Sequence, residues 1–160
     1  MNEFLNNLVS VYVQYPAMLY VSILLLGLIT GSFLNVVIYR LPVMMEREWR
    51  EQCEELAGTS TKLPSPEKFN LTVPRSRCRN CGHKIKAWEN IPVLSYLLLK
   101  GRCSECKIRI SLQYPAVELI TGVLSVWVAV HFGLDWRLPA ALILTWALIA
   151  LSVIDIKETL

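Results

Sequence analysis

Charged residues are missing from position 4 to position 39, and the most apolar part of that stretch, residues 17–38, is 22 residues long. A helix of that length crosses a hydrocarbon layer that needs about 20 residues. Two further apolar runs cover residues 112–132, with the single acid Glu118, and residues 139–154, with no charge. The last run has 16 residues and becomes long enough to cross when Leu138 and its neighbours join it. The pattern therefore predicts three transmembrane helices, over 17–39, 112–132 and 138–155. A cleaved signal peptide does not suit the first run, which follows no basic segment and is longer than the apolar core of such a peptide.

The first span carries a seam. Gly27, Gly31 and Asn35 fall at i, i+4 and i+8, so one face is small and then polar and can approach another helix closely. Packing inside the chain is the default reading of such a seam. Arg40, Leu41 and Pro42 mark the exit from the membrane, with Pro42 not expected to continue a straight helix. Residues 44–56 then read as a separate, short, charged surface helix with a Glu46 to Arg50 pair at i, i+4 and a spare thiol at Cys53. Residues 58–66 are a polar, proline-containing linker, and residues 70–73 suit a short strand. The apolar run 93–99 is too short to span and is expected along the membrane surface or packed on its own domain.

Charge orients the chain. Of its 16 Lys and Arg residues, 14 lie between positions 40 and 109 against 8 acids, a net of +6. The positive-inside rule puts residues 40–111 and 156–160 in the cytoplasm and residues 1–16 outside. Lys and Arg beside a membrane ordinarily face anionic lipid, so membrane lipid is an expected partner and nucleic acid is not.

That cytoplasmic segment contains Cys78-x-x-Cys81 and Cys103-x-x-Cys106, separated by 21 residues. Two such knuckles can set four thiolates at the corners of a tetrahedron around one Zn²⁺, a closed structural site. Two disulfides are the alternative in an oxidising compartment, and the reducing cytosol favours the metal. His83 could stand in for a thiolate, although four are present. The fold class is thus an all-α polytopic membrane protein of about three transmembrane helices, with a cytoplasmic zinc-ribbon-like loop between the first and second.

Two acids stand out against the apolar background. Glu118 lies roughly 8 to 10 Å inside the second span, where a carboxyl is costly unless it is paired, lines a wet cavity or works. Asp155 closes the third span. The second span leaves the cytoplasm and the third returns to it, so both acids belong to the loop's side.

In this order, these features resemble the N-terminal portion of the bacterial type IV prepilin peptidases. The matching residues are 31–37 with Arg40, Leu41 and Pro42; Met44, Met45, Glu46 and Arg47 with Trp49; both cysteine pairs; Glu89, Asn90, Ile91 and Pro92 with Ser95 and Tyr96; Tyr114 and Pro115 with Glu118; and Ile154 with Asp155. The resemblance implies a bacterial inner-membrane enzyme with a periplasmic N-terminus. It implies cleavage of the leader of type IV prepilins or the pseudopilins of type II secretion, followed by N-methylation of the new N-terminus from S-adenosylmethionine. Asp155 corresponds to the first of two catalytic aspartates; the second, in a Gly-x-Gly-Asp motif, is expected beyond residue 160, so residues 1–160 alone are not expected to cleave. No glycine-rich loop of the dinucleotide-binding type follows a strand, and Glu46, Arg47 and Glu118 are the places to look for the methyl-transfer site. The competing class is a membrane-anchored zinc-ribbon binding module that recruits a cytoplasmic partner.

Overall fold

In the computed structural model, residues 10–57 and 69–158 are described; the linker expected over 58–66 lies outside them. Four α-helices are named here: α1 (Pro16–Leu56), α2 (Leu94–Leu98), α3 (Gln113–Phe132) and α4 (Arg137–Glu158). A 3₁₀ turn covers Ala87–Asn90. Three of the helices, α1, α3 and α4, are long and apolar enough to cross a membrane.

Helix α1 corrects one expectation. Its 41 residues run unbroken through Pro42, a length of about 60 Å at 1.5 Å per residue, twice a hydrocarbon core. Pro42 removes one backbone hydrogen bond but does not end the helix, because the residues after it, Met44 to Glu55, are mostly strong helix formers. The charged segment is therefore the stalk of the first span, not a separate helix.

Helix α3 runs back along α1, and glycine makes the contact possible. A Cβ added at Gly31 would fall 2.7 Å from the Glu118 Cα, and one at Gly27 would fall 2.9 Å from the Gly122 Cα. In a bilayer, helices gain little by burying apolar surface from lipid, so close backbone approach and interhelical hydrogen bonds must hold them. The next rung is polar: Asn35 Nδ2 donates to the Tyr114 carbonyl at 3.0 Å. Helix α4 closes the bundle through the Trp146 indole, which donates to Ser125 Oγ at 2.9 Å. Two apolar clusters mark the ends. Leu19, Ile23, Val128, Leu138 and Leu142 meet at one, and Leu34, Ile38, Val117 and Ala150 at the other. Asp135 starts α4 by accepting the Arg137 N–H at 2.8 Å.

The segment between α1 and α3 is tied to the stalk by cations. Arg40, 7% exposed, donates to the carbonyls of Asn70 at 2.7 Å and Pro74 at 2.5 Å. Arg47 lies 4.6 Å above the Phe69 ring, and Arg79 4.3 Å above Tyr39. Residues 70–73 do not form the expected strand. The Asn70 side chain accepts the N–H groups of Thr72 and Val73 at 2.8 and 2.7 Å, and this local turn satisfies donors that a strand would have offered to a neighbour. Among the described residues the only β pairing is two isolated bridges, Arg77 with Lys84 and Arg102 with Arg109.

Gly31→Leu is expected to drive α1 and α3 apart, since overpacking against backbone costs about 1–3 kcal/mol or more. A fall of several degrees in the thermal midpoint in detergent, beside an unchanged Ile29→Leu control on the exposed face, would show it.

Candidate functional site

Each cysteine pair sits in a tight turn of the same design. In the first knuckle the Cys78 amide donates to the His83 carbonyl at 2.9 Å, and in the second the Cys103 amide donates to Ile108 at 2.9 Å. Four positions after the first cysteine of each pair the backbone turns left-handed, at Gly82 (φ 72°) and at Lys107 (φ 57°). Glycine takes that conformation freely; lysine bears a steric cost, and its Nζ donates to the Ser104 carbonyl at 2.8 Å.

The knuckles face one another. Cys78 Sγ lies 3.7 Å from Cys106 Sγ, Cys81 Sγ lies 4.0 Å from Cys103 Sγ, and all four sulfurs fall within 4.8 Å of each other. Tetrahedral coordination at about 2.3 Å per Zn–S bond sets sulfurs about 3.8 Å apart, so the donor set fits a metal of that kind. All four are free thiols. The Cys81 backbone amide, with that of Asn80, holds Cys78 below its ordinary pKa, and the Ile108 amide and Asn80 side chain bring Cys106 down to about 6. The His83 amide acts the same way on Cys81, but burial and the three neighbouring sulfurs outweigh it and push that thiol up to about 11. Four crowded thiols resist collecting negative charge, and a bound cation removes that conflict.

His83 does not join the sulfurs. Its Nε2 lies 3.1 Å from Glu89 Oε2 and its Nδ1 3.7 Å from Glu105 Oε1. Glu89 also accepts the Lys86 N–H at 2.8 Å, closing the 3₁₀ turn, and its side chain is only 4% exposed. The Lys86 amide foremost, then Ser104 and His83, hold its pKa near 2. Glu89 is the residue that the motifs did not single out as a site residue. The available signal was its place three residues after the start of a turn, where a glutamate reaches back to the first amide.

Glu118, 8% exposed on α3, accepts the Val93 N–H at 2.7 Å. Val93 has φ of 59°, an uncommon state for a β-branched residue, immediately before α2. Asp155 is exposed near the end of α4, at the end of the bundle where Val117 and Ala150 meet. Glu46 pairs with Arg50 at 2.9 Å, and Arg47 covers Phe69; both are exposed. They lie about 22 Å along α1 from Gly31, which packs on Glu118. Glu46 and Arg47 thus stand apart from Glu118.

The chain matches the bacterial peptidase A24 N-terminal domain over residues 25–132. It is 53% identical over 137 residues to a prepilin leader peptidase/N-methyltransferase of Stutzerimonas stutzeri, covering 86% of this chain and 47% of that protein. It is 49% identical to the protein of that name from Pseudomonas aeruginosa, covering 92% of this chain and 50% of the relative. With that of Legionella pneumophila the identity is 43%, over 94% of this chain and 52% of the relative. The chain spans about half the length of the curated relatives it matches. No solved structure matches it.

Glu89 has a folded pKa near 2 against an ordinary 4.5. Its contribution is thus complete above about pH 4.5 and is lost as the pH falls through 2. At neutral pH, Glu89→Gln is expected to weaken metal retention about tenfold, by loosening the His83 and Lys86 contacts that close the chain just after the first knuckle. Competition with a chromogenic chelator measures it, with Cys106→Ser as the variant that loses the metal outright.

Proposed function

We propose a function for this chain from its family: it belongs to the family of the bacterial peptidase A24 N-terminal domain. In this reading it is the N-terminal part of a bacterial inner-membrane enzyme that removes the leader of type IV prepilins or pseudopilins and N-methylates the new N-terminus. The observation that carries the reading is 53% identity over 137 residues to a protein named for both activities. The three apolar helices support placement in the membrane. The net +6 of residues 40–109 supports a cytoplasmic loop and a periplasmic N-terminus.

Asp155 is assigned as the first of two aspartates that cut the leader. One carboxylate must be ionised to activate a water while its protonated partner polarises the scissile carbonyl, so two close acids are needed and their pKa values split. The partner is assigned to the part of the protein beyond residue 160. Asp155 is exposed at the loop's end of the bundle, where a leader arriving from the cytoplasm meets it.

The metal is assigned as Zn²⁺ on Cys78, Cys81, Cys103 and Cys106. Four thiolates leave no open coordination position, so its work is to fold the loop. S-adenosylmethionine would supply the methyl group as an electrophilic sulfonium. Glu46 and Arg47 are assigned to it on the chemistry of their side chains: a carboxylate suits the ammonium of its methionine part, and a guanidinium suits the carboxylate. The loop held against the stalk by Arg40 and Arg79 brings that surface and the metal site into one unit.

The test is an assay of residues 1–160 and of the whole protein on a prepilin, reading cleavage and N-methylation separately by mass spectrometry. Expected is no cleavage by residues 1–160, cleavage by the whole protein, and loss of cleavage but not of metal in Asp155→Asn. Cleavage by residues 1–160 that depends on Asp155 would make Glu118 the second carboxylate. Removal of the metal, verified on the same sample, is expected to abolish methylation.

A further inference from the structure

The segment between the knuckles carries an apolar face that no other described residue covers. Helix α2 exposes Leu94 at 58%, Leu97 at 65% and Leu98 at 73%, and Leu112, which leads into α3, is 72% exposed. The segment is nonetheless built rigidly. Tyr96 packs against Gly101, the Gly101 amide donates to the Tyr96 carbonyl at 2.9 Å, and the Ile110 amide donates to Gly101 at 2.8 Å.

The depth of this face follows from two observations. Helix α3 has 20 residues, about 30 Å, the thickness of a hydrocarbon core and no more. Its Gln113 end therefore lies at the membrane boundary, with Glu118 about 7 Å further in along the axis. The Glu118 carboxylate holds the Val93 N–H at 2.7 Å, and Val93 is the residue before α2. The start of α2 is thus fixed within a side chain's reach of that level, at the boundary and not out in the cytoplasm.

The charge lining the clefts beside it has one sign. A cleft of about 450 Å³ joins Leu98 and Leu99 to Lys100, Arg102 and Lys107, and a second of about 480 Å³ joins Leu112 to Lys100, Arg102 and Arg109. No acid lines either cleft. Exposed leucines joined to bases by clefts that no acid lines are the pattern of a segment lying in the headgroup layer, with its apolar side among the acyl chains and its cations on phosphate.

We propose that α2 is an interfacial foot: Leu94, Leu97, Leu98 and Leu112 enter the cytoplasmic leaflet while Lys100, Arg102 and Lys107 hold the phosphate of an anionic phospholipid. The foot rests on the membrane placement argued above. Through Glu118 it would fix the height of the metal-binding loop above the bilayer, and so the level at which a substrate is met.

The test uses the full chain in nanodiscs of mixed phosphatidylglycerol and phosphatidylcholine. The photoreactive residue p-benzoylphenylalanine replaces Leu97 in one sample, and Val123 or Leu144, which are 61% exposed on the spans, in others. Expected is a lipid adduct at Leu97. Phosphatidylglycerol should be enriched over phosphatidylcholine by about fivefold or more, the worth of one basic residue near the surface. The enrichment should fall to parity in Lys100→Gln/Arg102→Gln/Lys107→Gln with metal content retained. If that variant does not fold, the enrichment measured at 50 mM and 500 mM salt on the labelled parent decides, since screening must reduce it. Three results overturn the foot while leaving the membrane placement intact: an adduct to protein at Leu97, no adduct there while Val123 and Leu144 label lipid, or equal labelling of the two lipids. No lipid adduct at any position overturns the membrane placement and the foot together.

Discussion

The close approach of α1 and α3 at Gly27 and Gly31 is the contact on which the other placements depend. Because lipid is as apolar as a leucine side chain, the two helices are held by how near their backbones come and by the hydrogen bonds that nearness allows. With Gly31 against Glu118, the next rung brings Asn35 opposite Tyr114, and the Glu118 side chain is directed to the Val93 amide. A side chain at Gly31 would shift that register and with it the loop.

The loop is stabilised by two independent means. Within it, the knuckles are short local turns, closed by their own backbone hydrogen bonds, that bring four thiols within 4.8 Å of one another, a group that could hold a metal ion. Against the bundle, Arg40 bonds two loop carbonyls, and Arg47 and Arg79 stack on Phe69 and Tyr39. Arg40 follows the apolar stretch of α1, and its burial is tolerable because its guanidinium makes two charge-assisted hydrogen bonds and lies 5.6 Å from the Phe69 ring centre.

Legibility in the sequence followed the range of the interactions. The three apolar helices and the four-cysteine group could be read directly, since each depends on composition or spacing within a short stretch. The continuation of α1 past Pro42 was not legible because proline's local cost is real but is outweighed by the helix-forming residues that follow it. Residues 70–73 were misread because an asparagine turn competes with strand pairing, and which of them wins depends on whether a partner strand is present. Glu118 was noticed as a buried acid, but its partner, a backbone amide 25 residues away, carries no side-chain signature. Glu89 was legible only as part of a motif.

The sequence by itself determined that this chain has three stretches long and apolar enough to cross a membrane, where its basic charge is concentrated, and that four cysteines can meet; hydrophobic length, charge asymmetry and knuckle spacing are one-dimensional properties. Only the tertiary structure decided that the charged segment is the stalk of the first span, that Glu118 holds Val93, that Glu46 and Arg47 stand about 22 Å from the level of Glu118 along α1, and that the leucines of α2 are left uncovered. Those facts depend on which backbone atoms come within hydrogen-bonding or van der Waals distance, and the seam register that sets them is formed by two helices some 80 positions apart in the chain, as the 79-residue separation of Asn35 and Tyr114 shows.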